Sequence, residues 1–243
     1  MESLTHDSIS LRGAGIVSVV QQKKGPRFTL DSLLLADFCR VKSRDSILEP
    51  GTGTGIVSLL LAKKHPRSRI IAIELQPSLA GLCRHNISHN SLHDRVVLIE
   101  GDLRSLGRQL KNSSFDLVVA NPPYTRTGSG RLSPVQARFA SRQDRFGDLD
   151  AWLDLQQYLK NKGRYVLVFP AARLADLVAS LRSRRLEPKR MRLVHAHQNK
   201  PASLVLMEAI KSAGSELEVL PPLIVHDPSG GYSAEMRDLY ALS

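Results

Sequence analysis

The chain has 243 residues, with 34 Lys or Arg against 23 Asp or Glu and a formal net charge of +11. Apolar residues make up 42%, aromatics 5%, and the only cysteines are Cys39 and Cys83. Such a composition excludes a disordered polymer, a disulfide scaffold and most structural zinc modules, and the charge favours a polyanionic partner. The N-terminal Met1–Ser10 carries Glu2 and Asp7 and lacks the apolar centre of a signal peptide. No apolar run approaches the length of a bilayer span, and Ile56–Ala62 is broken by Ser58. A cytoplasmic protein without a membrane role is expected.

Taken in chain order, Ile16–Val20 and the Phe28–Thr29 region suggest a small hairpin cap, with Thr29 placed to N-cap an apolar helix, Leu30–Arg40. Apolar strands then alternate with helical patterns. Strands are predicted at Asp45–Leu48, Arg69–Glu74, Arg95–Ile99, Phe115–Ala120 and Arg164–Phe169, with two late ones at Arg190–His195 and Ser203–Ile210. Helices are predicted at Gly55–Lys64, Pro77–Asn90, Leu149–Lys160 and Ala171–Arg185. Strands separated by helix-length segments imply an α/β fold with a mostly parallel sheet and helices on both faces. Residues 1–44 are expected to form a cap and pre-core helix, and 45–243 the core. The segment Thr125–Asp148 has no periodicity and is rich in arginine, as expected of a functional loop.

Three features carry chemistry. The first is Glu49-Pro50-Gly51-Thr52-Gly53-Thr54-Gly55, between the first core strand and its helix. Glycines there let the backbone turn tightly and approach a ligand. The spacing is Gly-x-Gly-x-Gly, with the third glycine one position short of the Gly-x-Gly-x-x-Gly placement that a pyrophosphate demands, so it suits a cofactor whose amino-acid end passes over the turn. The second is a pair of acids at later strand ends. Glu74 is placed to accept ribose hydroxyls, and Asp102 to accept an adenine amino group.

The third is Asn121-Pro122-Pro123-Tyr124, directly after the fourth strand. An exocyclic amine on an aromatic ring is a poor nucleophile because its lone pair is delocalised. The Asn121 side-chain oxygen and the Pro122 carbonyl can hold its two hydrogens. Pro123 stiffens the chain so that this carbonyl keeps its aim, and Tyr124 can stack on the base. Catalysis of this kind is positioning and electrostatics, with no strong base and no metal.

Glu49–Gly55, Glu74, Asp102 and Asn121–Tyr124, in this order, resemble a class I S-adenosylmethionine-dependent methyltransferase of the amino-methylating group. Phe28-Thr29-Leu30-Asp31, Lys200–Ile210 and the ending Pro228–Tyr240 extend the resemblance, over about residues 15–240, to the bacterial tRNA1(Val) adenine N6-methyltransferase family. The resemblance implies a Rossmann-like fold with a seven-stranded sheet, S-adenosyl-L-methionine as cofactor, and the N6 amine of a tRNA adenine beside the anticodon as acceptor. It implies a cofactor set of Asp31, Glu49, Gly51, Gly53, Gly55, Glu74, Leu75, Asp102, Leu103 and Asn121, with Asp31 reaching the methionine end. One departure is Glu49-Pro50, where Asp-Leu or Asp-Ile is commoner.

The RNA is expected to meet Lys23, Lys24 and Arg27 on the cap, Arg126, Arg138 and Arg142 on the loop, and Arg190 and Arg192 from the basic run Arg182–Arg192. His85 with His89, and His195 with His197, have metal-like spacings but no third ligand, so no metal is expected. A monomer or homodimer is expected. The same Asn-Pro-Pro-Tyr motif also serves release-factor glutamine N5, rRNA guanine N2 and DNA adenine methylation. The short N-terminal segment, the lack of room for a target-recognition domain and the positive charge favour tRNA. A non-catalytic RNA-binding module with the same fold is the remaining alternative, and the intact motif argues against it.

Overall fold

The computed structural model describes residues 4–23, 28–103, 105, 110–123 and 149–241. Two antiparallel strands, β1 (Leu4–Leu11) and β2 (Gly15–Gln22), form an N-terminal hairpin. The partner of β2 is therefore the polar-looking Leu4–Leu11 and not the expected Phe28–Thr29 region. Gly13 and Gly15, both at positive φ, close the reversal that makes this pairing local. Ile9, Leu11, Val17 and Val19 then bury against the core.

Two asparagines of α3 (Pro77–His89) and its C-terminal end strap this hairpin down. The Asn86 side chain accepts from the Val20 N–H at 2.8 Å and donates to the carbonyls of Val20 and Thr54 at 3.0 and 2.9 Å. Asn90 repeats the pattern with Ser18. A buried amide that meets both backbone groups of one residue acts as a substitute strand partner.

The main sheet contains β3 (Ser46–Pro50), β4 (Arg69–Glu74), β5 (Val96–Glu100), β6 (Phe115–Ala120), β7 (Leu159–Pro170), β8 (Leu186–His195) and β9 (Ala202–Lys211). Its order is β8-β9-β7-β6-β3-β4-β5. Strand β9 is antiparallel to both neighbours, and the other pairs on this path are parallel. The seven expected strands are all present. Two short additions, β10 (Glu218–Val219) and β11 (Leu223–Ile224), pair with β8 and extend the sheet to nine strands.

Alternation along each strand sends neighbouring residues to opposite layers. Ile47, Leu117, Val119 and Val166 face a layer built on α1 (Leu30–Phe38), α2 (Ile56–Lys64) and α3. Leu48, Val118 and Leu167 face a layer built on α4 (Leu149–Leu153) and α5 (Leu174–Ser183). This is why the strands read as unbroken apolar runs. Thr29 stands at the N-cap of α1 but its side chain makes no capping hydrogen bond. The expected helix Leu149–Lys160 is shorter, since α4 passes into a 3-10 turn, Asp154–Tyr158, and then directly into β7. A last helix, α6 (Ala234–Leu239), is capped by Ser233, whose Oγ accepts from the Met236 N–H at 3.2 Å. No described helix is long and apolar enough to cross a membrane.

Chain order reverses between β3 and β6, so the crevice beyond their C-terminal ends is where a ligand site is expected in such a sheet.

Candidate active site

A cavity of about 260 Å³ opens at that crevice. Glu49, Gly51, Gly53, Glu74, Leu75, Leu103, Asn121 and Pro123 from the sequence reading all line it. They arrive from β3, β4, the segment after β5, and the end of β6. Gly55, Pro122, Asp31 and Asp102 are not on the wall. Asp31 and Asp102 each have polar contacts of their own. The wall positions are their successors, Ser32 and Leu103. On α1 one residue is a turn of about 100°, which brings Ser32 to the cavity and takes Asp31 away. Tyr124 lies outside the described residues.

The glycine turn has two distinct steric requirements. Gly51, at φ +63°, lies under the Trp152 ring, and a Cβ there would stand 2.6 Å from Cη2. Gly53, at φ +60°, would place a Cβ in open space, so its bare edge is cavity wall. This is the cradle that a side chain would fill.

The Glu74 carboxylate is anchored at both oxygens. Oε2 accepts from the Gly53 N–H and Oε1 from the Gln76 N–H, each at 2.9 Å. Burial raises its pKa, and the same N–H groups oppose the rise. Glu49 is more deeply enclosed and accepts a hydrogen bond from Ser58 Oγ. Burial pushes its carboxyl up to about 7, against the pull of that hydroxyl.

Asn121 is oriented from outside its own strand. Its Nδ2 donates to Ser32 Oγ at 3.3 Å. With the nitrogen end held by α1, the side-chain oxygen is the end left to accept from a ligand. Phe28, Ser32 and Trp152 also line the cavity, and none of them is among the site residues expected from the sequence. Phe28 and Ser32 flank the Thr29-Leu30-Asp31 segment, and Trp152 is the single tryptophan of the chain, but only the tertiary fold brings them to the turn.

The family model for a methyltransferase domain matches residues 41–213. The chain belongs to the methyltransferase family. Among curated relatives of this methyltransferase, a Porphyromonas gingivalis protein named tRNA1(Val) (adenine(37)-N6)-methyltransferase is 31% identical over 219 residues, covering 86% of this chain and 85% of the relative. A Shewanella loihica protein of the same name is 30% identical over 220 residues, covering 87% and 89%. The crystal structure of a predicted O-methyltransferase from Agrobacterium tumefaciens superposes with a TM-score of 0.71 at 20% identity, covering 87% of this chain and 96% of that one, which supports the fold alone.

The methyl donor of this methyltransferase is S-adenosylmethionine, and the residues present fit it. The bare edge at Gly53 leaves room over the turn, the anchored Glu74 carboxylate offers its remaining lone pairs at a strand end, and Leu75, Leu79 and Leu103 supply apolar wall.

The expected RNA contacts divide. Lys23 is exposed at the end of the hairpin. Lys24, Arg27, Arg126, Arg138 and Arg142 lie outside the described residues. Arg190 is not a surface residue. It is buried, 3.1 Å from Glu208, with its guanidinium over the Phe38 ring at 3.9 Å. Arg192 is turned to Glu235, with two hydrogen bonds of 2.6 and 2.8 Å, and to the Pro221 carbonyl. Arg182 and Arg184 of the same run are likewise paired, with Glu187 and with Asp150 and Asp154. The basic run is largely neutralised within the fold.

Proposed function

We propose that this chain transfers a methyl group from S-adenosylmethionine to the exocyclic N6 of adenine 37 in tRNA1(Val), the activity named for its relatives. The observation that carries the reading is the Asn121 amide, held by Ser32 on the cavity wall within the crevice that contains the glycine turn.

Bound S-adenosylmethionine supplies an electrophilic methyl group. The chain's own residues prepare the nucleophile. The Asn121 oxygen and the Pro122 carbonyl accept the two amine hydrogens, which draws the nitrogen toward tetrahedral geometry and frees its lone pair from the ring. Pro123 restricts the backbone that presents the carbonyl. As the N–C bond forms, the bond between that methyl and the donor sulfur breaks and S-adenosylhomocysteine leaves, so the positive charge passes from sulfur to the nitrogen, where the two acceptors stabilise it until a proton leaves to solvent. Tyr124 stacks on the extruded base. Glu74 holds the ribose of the donor, and Leu75 and Leu103 flank its adenine.

The test is methyl transfer to in vitro transcripts of tRNA1(Val) with adenine or guanine at position 37. Incorporation into the first and none into the second is expected. Equal incorporation into both would overturn the site assignment.

A further inference from the structure

Beyond the cavity, four aromatic rings form a continuous column at the C-terminal end of the fold. The His197 and His226 rings lie 5.2 Å apart, His226 and Tyr232 stack at 5.7 Å and 9°, and Tyr232 and Tyr240 lie 5.2 Å apart. Tyr240 roots the column on the apolar core, while Tyr232 and His197 are exposed.

The backbone holds this column rigidly. The His226 N–H donates to the Ala196 carbonyl at 2.9 Å, and the Val225 N–H to the His195 carbonyl at 2.8 Å. His226 and Tyr232 are antiparallel bridge partners. The Lys200 N–H donates to the His197 carbonyl at 3.0 Å, closing the turn that carries His197. Core packing accounts for Tyr240 but not for a series of rings that ends in an exposed histidine.

Its position in the sheet matters more. Strand β9 runs antiparallel to β7, so its start at Ala202 lies at the same edge as the C-terminal ends of β6 and β7. Strand β8 is antiparallel to β9, so His195 and the turn after it lie at that edge too. The column therefore stands on the edge that carries Asn121. It is three strand spacings across from Asn121 and, since Ala120 is level with Met191 through Leu167 and Met207, about five residues further along, roughly 22 Å in all at about 4.8 Å per strand and 3.3 Å per residue. That is on the order of six nucleotides in a stacked strand, and fewer in an extended one. The nearby carboxylates are already paired: Asp227 with Ser229, Gly231 and Arg237, and Glu235 with Arg192. Exposed Lys200 lies on the same turn.

We infer that this column is a stacking platform for an unpaired base of the RNA substrate, with His197 as the ring that receives it. The inference rests on the tRNA reading and adds a second contact to it, one that grips a loop neighbour while the target base enters the cavity. Every base has a π face, so this contact carries grip and orientation with little sequence preference.

The experiment uses the full chain and an anticodon stem-loop RNA carrying a stacking-quenched fluorescent adenine analogue at successive loop positions. Wild type is expected to bind and to quench the analogue at one position besides the target. His197→Ala is expected to lose that quenching and weaken RNA binding about tenfold, with S-adenosylmethionine affinity and melting temperature unchanged, and His197→Tyr to restore both RNA readouts. Failure of wild type to bind the stem-loop, absence of quenching outside the target position, unchanged binding in His197→Ala, or a Tyr variant as weak as the Ala variant would each overturn the inference. Binding and quenching without methyl transfer would leave the column supported and overturn the proposed activity instead.

Discussion

Asn121 at the end of β6 donates its side-chain amide to Ser32 Oγ on α1, 3.3 Å away and 89 residues earlier in the chain. An amide can present either end to a ligand, and only the oxygen can accept from an amine. In this arrangement the Ser32 hydroxyl accepts from the nitrogen end of Asn121 and leaves the oxygen end to the ligand.

Removing that hydroxyl should affect turnover more than binding. Ser32→Ala leaves the amide free to rotate, at the loss of a hydrogen bond of about 1 kcal/mol. We expect kcat to fall about fivefold to tenfold, with KM for S-adenosylmethionine and the melting temperature nearly unchanged. Steady-state kinetics with a saturating RNA acceptor would check this.

The two glycines of the turn should fail differently. Gly51→Ala drives a Cβ to 2.6 Å from Trp152 at φ +63°, so it should cost stability, about 2–4 kcal/mol in denaturant unfolding. Gly53→Ala meets open space and carries only the left-handed backbone penalty, about 1–2 kcal/mol. Its added methyl projects at the cavity wall, so donor binding by calorimetry should weaken at least as much as for Gly51→Ala while the fold survives better.

Glu49 predicts a pH signature. Its folded pKa is raised, to about 7, above an ordinary value of 4.5 because burial disfavours the charged form. The folded state therefore holds its proton more tightly than the unfolded state. The resulting stabilisation is fully present below about pH 4.5 and is lost as pH rises through about 7. Thermal melts of wild type should decline relative to Glu49→Gln between about pH 5 and 8. A donor bearing an ammonium group should bind wild type more tightly as pH rises over the same range, and the Gln variant should lack that trend.

Arg190 separates a structural cation from an RNA contact. It pairs with Glu208 directly across β8 and β9 and lies over Phe38. Arg190→Ala leaves a buried carboxylate uncompensated and should destabilise the fold by about 3–5 kcal/mol. The slope of RNA affinity against salt should not change, since no phosphate contact is removed.

The legibility of the chain follows from what each signal depends on. Strands β3, β6 and β7 are apolar on both faces and stand out in sequence, and Glu49–Gly55 marks the switch point because a strand-turn-helix with alternating glycines is a local pattern. Arg190 reads as an RNA contact in sequence because a basic run looks solvated. In β8, however, it shares the alternating buried register of Leu186 and Pro188, and it faces Glu208 across the ladder. Strand period carries that information where composition hides it. Ser32 and Trp152 have no local signal, since their roles exist only once α1 and α4 are packed against the turn. The hairpin is half legible: Ile16–Val20 is an apolar run broken only by Ser18, while the polar residues of β1 conceal its partner.

The most direct test of the account is Asn121→Ala, measured twice on the same preparation. Its S-adenosylmethionine affinity by calorimetry should stay within a few-fold of wild type, and methyl transfer to a tRNA1(Val) transcript should fall on the order of a hundredfold or more. Near-wild-type transfer with donor binding intact would contradict the claim that Asn121 holds the amine.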